Sequence, residues 1–501
     1  MNTKERLSGI LMPISSLPSP HGIGTLGKAA FDFVDFLVAS HSDLWQMLPL
    51  NVTSYGDSPY QSPSSNGLNY YFIDLDILVE KGLLSDEEIH ASGLNENSKR
   101  VDYANLFQYR IPLLKKAFSR FDRTREDFKA FEKAGDYKDF AFYMTLKSHF
   151  GYAPWYSWEK AYRTYTPAIE ESTLATYPED YLFYVWTQYE FLNQYRSLKN
   201  YANSKGIRII GDMPLYLALD SVEVYKYPQL FLLDKNLVPT LVAGCPPDEF
   251  SADGQLWGNP IYDWSYMAKD NYRWFHERIR KNLSNFDILR IDHFRGIAGY
   301  YTIPYGMKNA RIGKWQVGPG FALFEGETSL PIIAEDLGFL DQPVKDLLKK
   351  TTYPGMKVLE FAFDGKEDNI FKPTNTTENY VCYTGTHDNM PIYGYLNSLS
   401  IDELNIVTGD LWRECLAFDV PYNDQNLKTL ARTIVSLCYA GKTFMSIVPI
   451  QDLLLLDNDT RMNHPSVLSN ENWTYRSQRS DFSPELSSFI AGQCKKYHRG
   501  H

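Results

Sequence analysis

Three stretches of the chain each carry a carboxylate at the end of a short apolar run. Asp287-Ile288-Leu289-Arg290-Ile291 leads into Asp292, Pro331-Ile332-Ile333-Ala334 into Glu335-Asp336, and Tyr380-Val381-Cys382-Tyr383 into Thr386-His387-Asp388. On a strand, residues i and i+2 share a face, so Arg290 and Asp292 point together. A guanidinium beside a carboxylate favours the ionised form, which a nucleophile needs. The plainer alternative is a structural Arg–Asp pair. Neighbouring strand residues face opposite ways, so only one of Glu335 and Asp336 reaches a reacting bond. The other holds nearby backbone or substrate hydroxyls, and periodicity leaves open which is which. A His387-Asp388 pair suits a catalytic dyad or a metal, but without further His clustering no metal is expected.

Two carboxylates at one mouth suffice to cleave a glycosidic bond: one attacks or activates water, and the other protonates the leaving oxygen. A third can stabilise positive charge developing on the sugar. Divalent-metal chemistry also needs acids, but it explains the Arg290–Asp292 coupling less well.

Such acids must be carried by buried strands. Apolar runs at 9–14, 44–50, 207–210, 286–291, 331–334, 380–383 and 444–449 each end in a polar, Gly-rich or acidic patch and lack alternation, as expected for strands buried on both faces. Helical patterns at 29–39, 179–203, 271–283 and 427–438 lie among them. Repeated strand–helix units imply parallel strands with right-handed crossovers, and polar residues at strand C-termini are the habit of a (β/α)8 TIM barrel. The expectation is therefore an α/β chain with one catalytic barrel domain over 1–501 and two insertions. One, at about 75–175, is rich in amphipathic helices such as 111–121 and 137–150; the other, at about 225–265, is loop-rich, with Pro246-Pro247 and Trp257-Gly258-Asn259-Pro260. Gly22, Gly24 and Gly27 match the dinucleotide fingerprint letter for letter, but 15–20 intervene after the strand. A phosphate-binding turn follows its strand directly, so these glycines are expected only to shape a tight loop.

Composition narrows the partners. The net charge is −11 over 501 residues, which argues against nucleic acid, and no dense Lys/Arg run suits an anionic membrane. The 36 Tyr, 29 Phe and 10 Trp lean towards sugar stacking, although core packing must account for most of them. The 5 cysteines are scattered, and the 10 histidines show no H-E-x-x-H pattern. Neither a signal peptide nor a stretch approaching the roughly 18 apolar residues of a membrane span is visible. A reducing cytoplasm is the expected home.

Further motifs stand along the chain: Ser16-Leu17-Pro18-Ser19-Pro20, Trp45-Gln46-Met47-Leu48-Pro49-Leu50, Tyr55-Gly56-Asp57-Ser58-Pro59-Tyr60-Gln61-Ser62, Gly211-Asp212-Met213-Pro214, Gly244-Cys245-Pro246-Pro247-Asp248, Gly254-Gln255-Leu256-Trp257-Gly258-Asn259-Pro260 and Arg461-Met462-Asn463. With these the sequence resembles, over nearly its whole length, the 4-α-glucanotransferases called amylomaltases or disproportionating enzymes, glycoside hydrolase family 77. The resemblance implies Asp292 as nucleophile, Glu335 as acid/base and Asp388 as transition-state stabiliser. It implies that Arg290, His387, Asp212, Asp336 and Trp257 hold sugar hydroxyls or line the cleft, with Tyr60 and Ser58 near the reacting sugar. Tyr55 and Phe107 match a secondary glucan-binding surface. The implied reaction moves an α-1,4-glucan segment, from maltooligosaccharides or amylose, to the 4-hydroxyl of glucose or another glucan. It retains configuration and uses no metal or organic cofactor. The alternative is a retaining α-glucan hydrolase of amylase type.

Transfer requires a sugar to beat water, and 246–257 is the candidate covering loop. Several positions depart from the family pattern. Pro63-Ser64-Ser65-Asn66-Gly67-Leu68-Asn69 replaces an aromatic-containing stretch, which leaves the sugar contacts of that loop open. Glu249 replaces an aromatic, Cys245 a small aliphatic, Phe107 a tyrosine and Ser466 a glycine.

Overall fold

The structure, a computed structural model, describes residues 5–95, 98–247, 251–338 and 340–500. The strands are β1 (Leu7–Leu11), β2 (Leu44–Gln46), β3 (Arg208–Met213), β4 (Leu241–Cys245), β5 (Gln255–Pro260), β6 (Ile288–Ile291), β7 (Gly299–Pro304), β8 (Lys314–Val317), β9 (Ile332–Ala334), β10 (Gly355–Val358), β11 (Tyr380–Tyr383) and β12 (Met445–Pro449). Eight of them form one parallel sheet in the order β10-β11-β12-β1-β2-β3-β6-β9. The two ends meet: Ala334 N donates to Pro354 O at 2.9 Å, joining β9 to the start of β10. The fold is a (β/α)8 barrel.

Strand parity decides what faces inward. One apolar cluster takes alternate residues from all eight strands, among them Leu7, Leu44, Ile210, Ile288, Ile333, Met356, Val381 and Met445, and so fills the barrel interior. The alternating set, including Ile10, Trp45, Ile209, Leu289, Ile332 and Val448, packs outward against helices. These helices include Lys28–Ala39, Pro178–Ser204, Arg273–Asn285, Gln342–Thr351 and Leu427–Ala440. Pro178 opens its helix at the N-terminus, where a missing N–H costs nothing. At the other end of the barrel, the Arg499 guanidinium donates to the carbonyls of Leu7, Tyr439, Gly441 and Thr443, tying β1 to the approach to β12.

All seven apolar runs contain barrel strands. The eighth, β10, has no counterpart in the hydrophobic pattern because Gly355 and Lys357 interrupt its four residues. The stretch 75–175 forms helices including Ile111–Arg120, Lys138–His149 and Pro167–Thr176. The stretch 225–265 contains two strands, β4 and β5, of an antiparallel sheet ordered β5-β4-β7-β8. It packs on its own small cluster of Val242, Tyr301, Ile303 and Ala310. Gly244 and the shift in pairing between Val242 and Gly244 hide these strands from a periodicity reading. Gly27, from the false dinucleotide match, lies against the Asp74 carboxylate, 2.0 Å from where a Cβ would stand. Its lack of a side chain serves packing. Among the described residues, no helix is long and apolar enough to cross a membrane.

Candidate active site

The inward parity of β3, β6 and β9 brings Asp212, Arg290, Asp292 and Glu335 to one mouth. Arg290 is the hub. Its Nη1 donates to both oxygens of Asp212 at 2.8 and 2.7 Å, and its Nη2 lies 3.0 Å from Asp292 Oδ1. The expected Arg290–Asp292 pair is therefore formed, with Asp212 as a second anion on the same guanidinium. Asp212 and Arg290 are almost fully buried, whereas the Asp292 side chain keeps 28% exposure towards the cleft. Tyr60 donates its hydroxyl to Asp212 Oδ2 at 2.8 Å, and Ser58 Oγ accepts from Tyr60 N at 3.2 Å. The loop at 55–60 is thereby tied to the end of β3.

Glu335 is held by two backbone donors: His293 N to Oε2 at 2.7 Å, and Leu337 N to Oε1 at 2.8 Å. His293 reaches it because its φ is +50°, a turn that bends the chain just after Asp292. Asp336 faces the other way. It has the outward parity of Ile332 and Ala334, is 2% exposed, and accepts from Met356 N at 2.6 Å. Its charged neighbour is Lys357 on the outer side of β10. The expectation that Asp336 holds sugar hydroxyls or lines the cleft is corrected by this geometry: strand alternation sends it between the barrel and its helices.

Asp388 is placed by loops. Its Oδ1 accepts from Asn463 Nδ2 at 2.7 Å, and its Oδ2 lies 3.3 Å from His387 Nε2. Arg461 donates to the carbonyls of Asp388 and Asn463 and so fixes both backbones. The His387 ring stacks on Tyr60, with centroids 5.1 Å apart, and Trp473 lies beside both rings at 5.7 and 5.9 Å. Sequence reasoning quotes Arg461-Met462-Asn463 as a motif but gives it no role, and it misses Trp473 and His293. A tripeptide acting from a loop has no periodicity to reveal it.

Trp257, on β5, stands edge-on to His293 with ring centroids 4.7 Å apart, so the antiparallel sheet reaches the mouth. Gln61 Nε2 donates to Asn259 Oδ1 at 3.2 Å, linking that sheet to the 55–62 loop. The departing segment 63–69 is turned inward: Ser65 N and Oγ donate to the buried Glu223 carboxylate at 2.8 and 2.7 Å. Leu68 exchanges two hydrogen bonds with the Gln188 amide. This stretch is scaffold. Ser466 takes φ +64°, the conformation a glycine would favour. Phe107, 47% exposed, packs edge-on against Tyr152 at 5.0 Å, while Tyr55 is 72% exposed. Asp248 and Glu249 lie outside the described residues.

Burial sets the proton affinities. It pushes the Asp292 carboxyl up to about 6; Arg290 opposes the rise, while Asp212 adds to it. Arg290 thus pulls in the expected direction but is outweighed by burial. Glu335 is pushed up further, to about 8, by burial against the pull of Arg290 and with the push of Asp292. Burial therefore raises both carboxyls, and Glu335 further than Asp292. Two carboxyls held at unlike affinities are what general acid and nucleophile require. Burial also pushes the His293 imidazole down to about 3, so that ring is neutral.

A (β/α)8 barrel with an arginine-held aspartate and a buried glutamate at neighbouring strand ends has the parts of a glycosidic-bond enzyme of the double-displacement kind. The family model described as 4-alpha-glucanotransferase matches residues 12–481. The chain belongs to that family, glycoside hydrolase family 77. A Streptococcus pneumoniae 4-alpha-glucanotransferase is 44% identical over 99% of this chain and 98% of its own length. One from Clostridium butyricum is 40% identical over 97% of this chain and 100% of its own. The solved amylomaltase from Streptococcus agalactiae in complex with acarbose superposes with a TM-score of 0.93 at 38% identity, covering 99% of this chain and 100% of that one.

Proposed function

We propose that this chain transfers an α-1,4-glucan segment to the 4-hydroxyl of glucose or a maltodextrin with retention of configuration. Arg290 holds Oδ1 of Asp292, leaving Oδ2 to attack the anomeric carbon. Glu335 gives its proton to the departing O4, and a covalent glycosyl-enzyme forms. The incoming 4-hydroxyl then yields its proton to Glu335 as its oxygen displaces Asp292, so that acid and base exchange roles. Asp388, held by Asn463, faces the positive charge that develops on the sugar ring. Tyr60, Ser58, Asp212, Arg290, His387 and Trp257 form the proposed sugar-binding wall, and Tyr55 with Phe107 a secondary glucan surface. The helical stretch near 75–175 and the segment near 225–265 act as insertions flanking one catalytic barrel domain. The observation that carries the reading is the gathering at one barrel mouth of Asp292, held by Arg290, and Glu335, held by the His293 and Leu337 N–H groups. A reducing cytoplasm is the proposed home of the chain, whose 5 cysteines are scattered. Incubation with maltotriose tests transfer against hydrolysis. Glucose plus longer maltodextrins at constant reducing-end count is expected, and a steady rise in reducing ends would overturn transfer.

A further inference from the structure

We propose that Asp336 is a positioning residue for Glu335, acting by closing the barrel seam between β9 and β10. The inference rests on the reading of Glu335 as acid/base.

At this seam the sheet has no regular ladder, and β9 and β10 stand at the two ends of the strand order. One backbone bond, Ala334 N to Pro354 O, joins them. The next inter-strand bond is made by a side chain: Met356 N donates to Asp336 Oδ1 at 2.6 Å, where a regular parallel ladder would use the Ala334 carbonyl. Gly355 makes room, since a Cβ there would stand 2.4 Å from Asp336 Oδ2. Lys357, on the outer face of β10, acts on it electrostatically, with its ammonium 4.3 Å from the centre of the Tyr380 ring.

The consequence falls on the neighbours of Asp336. Glu335 precedes it, and Leu337, whose N–H holds Glu335 Oε1, follows it. Anchoring Asp336 outside the barrel fixes the two peptides that aim Glu335 and its backbone donor inside. Met356, the residue that Asp336 grips, itself packs in the barrel interior. A one-residue anchor on the outer face thus sets the position of the acid on the inner face.

The test compares maltotriose with α-maltotriosyl fluoride, whose fluoride departs without needing a proton. Asp336→Ala is expected to lower kcat on maltotriose by about 100-fold, because small misplacement of a catalytic group is costly. KM should stay within about twofold, since no sugar contact is lost. Single-turnover fluoride release should fall far less. Asp336→Asn keeps an oxygen for Met356 N–H and should give a smaller loss of the same pattern. Gly355→Ala, which crowds the carboxylate from β10, should reproduce the split with Asp336 intact. If Asp336→Ala fails to fold, the Asn variant and Gly355→Ala decide. A rise in KM at unchanged kcat would make Asp336 a sugar-binding residue and overturn the inference, as would equal loss on both substrates. Glu335→Gln separates this from the underlying reading. If that variant still transfers from maltotriose, the acid/base assignment falls. If it loses transfer but keeps fluoride release while the Asp336 variants show no split, only the positioning role falls.

Discussion

On one side of the cleft mouth, Asp212, Arg290, Asp292 and Glu335 sit at the ends of β3, β6 and β9, neighbouring strands of one sheet. On the other, Asp388 follows β11 by several residues and takes its position from Asn463, Arg461 and the Tyr60–His387–Trp473 rings. The first group is placed by register, which fixes several side chains at once. The second is placed by separate side-chain contacts from distant segments, each removable alone. In the proposed mechanism the covalent chemistry falls to the register-placed side and charge stabilisation to the assembled side.

This contrast can be broken experimentally. The largest effect is expected for Asp292→Asn, which removes the proposed nucleophile without disturbing the register: transfer from maltotriose should fall about 10⁴-fold or more at unchanged melting temperature. Retained turnover would remove Asp292 from the mechanism. On the assembled side, Asn463→Ala frees Asp388 Oδ1 and should cost about 10- to 100-fold in kcat, read by initial rates, with the strand-borne pair untouched. A loss as large as that of Asp292→Asn would erase the distinction.

The pH profile sharpens the register-placed side. Asp292 must be ionised, so kcat/KM should rise through about 6; Glu335 must be protonated, so it should fall through about 8. The groups facing this pair are Arg290, Asp212, His387 and Asp388, with Asp336 acting on Glu335 from the outer face of the barrel. A donor whose leaving group needs no proton should lose the alkaline limb, since Glu335 then has no proton to give. The smallest effect belongs to a loop next to Asn463. Ser466→Gly relieves a left-handed residue and should raise stability by about 0.5–1 kcal/mol, read by thermal unfolding, with little change in kcat.

The same contrast governs what could be read from the sequence. Period-two alternation pairs Arg290 with Asp292 and separates Glu335 from Asp336, and both relations hold in the fold. Which of the two acids faces inward depends on the parity of β9 within the closed barrel, a long-range property that no local window carries. Strand β10 escaped because Lys357 and Gly355, which serve the seam, spoil its apolar run. The antiparallel sheet escaped because its strands β4 and β7 are separated by β5 and β6 along the chain. Asn463 and Trp473 needed three-dimensional contact to acquire meaning. The segment 63–69 looked like an altered sugar loop only because sequence does not tell the outward face of a loop from its buried one; Glu223 and Gln188 make it interior.

The pairing of β1 with β12, pinned by Arg499, has a consequence for biogenesis. The strand synthesised first of the eight finds one lateral partner early, in β2, and waits for the other until the strand synthesised last. At ordinary elongation rates that delay is on the order of tens of seconds. For that interval the nascent sheet has an open, apolar edge at Leu7–Leu11. Pairing of that edge with β12 is the last point at which the growing chain commits to a closed cylinder.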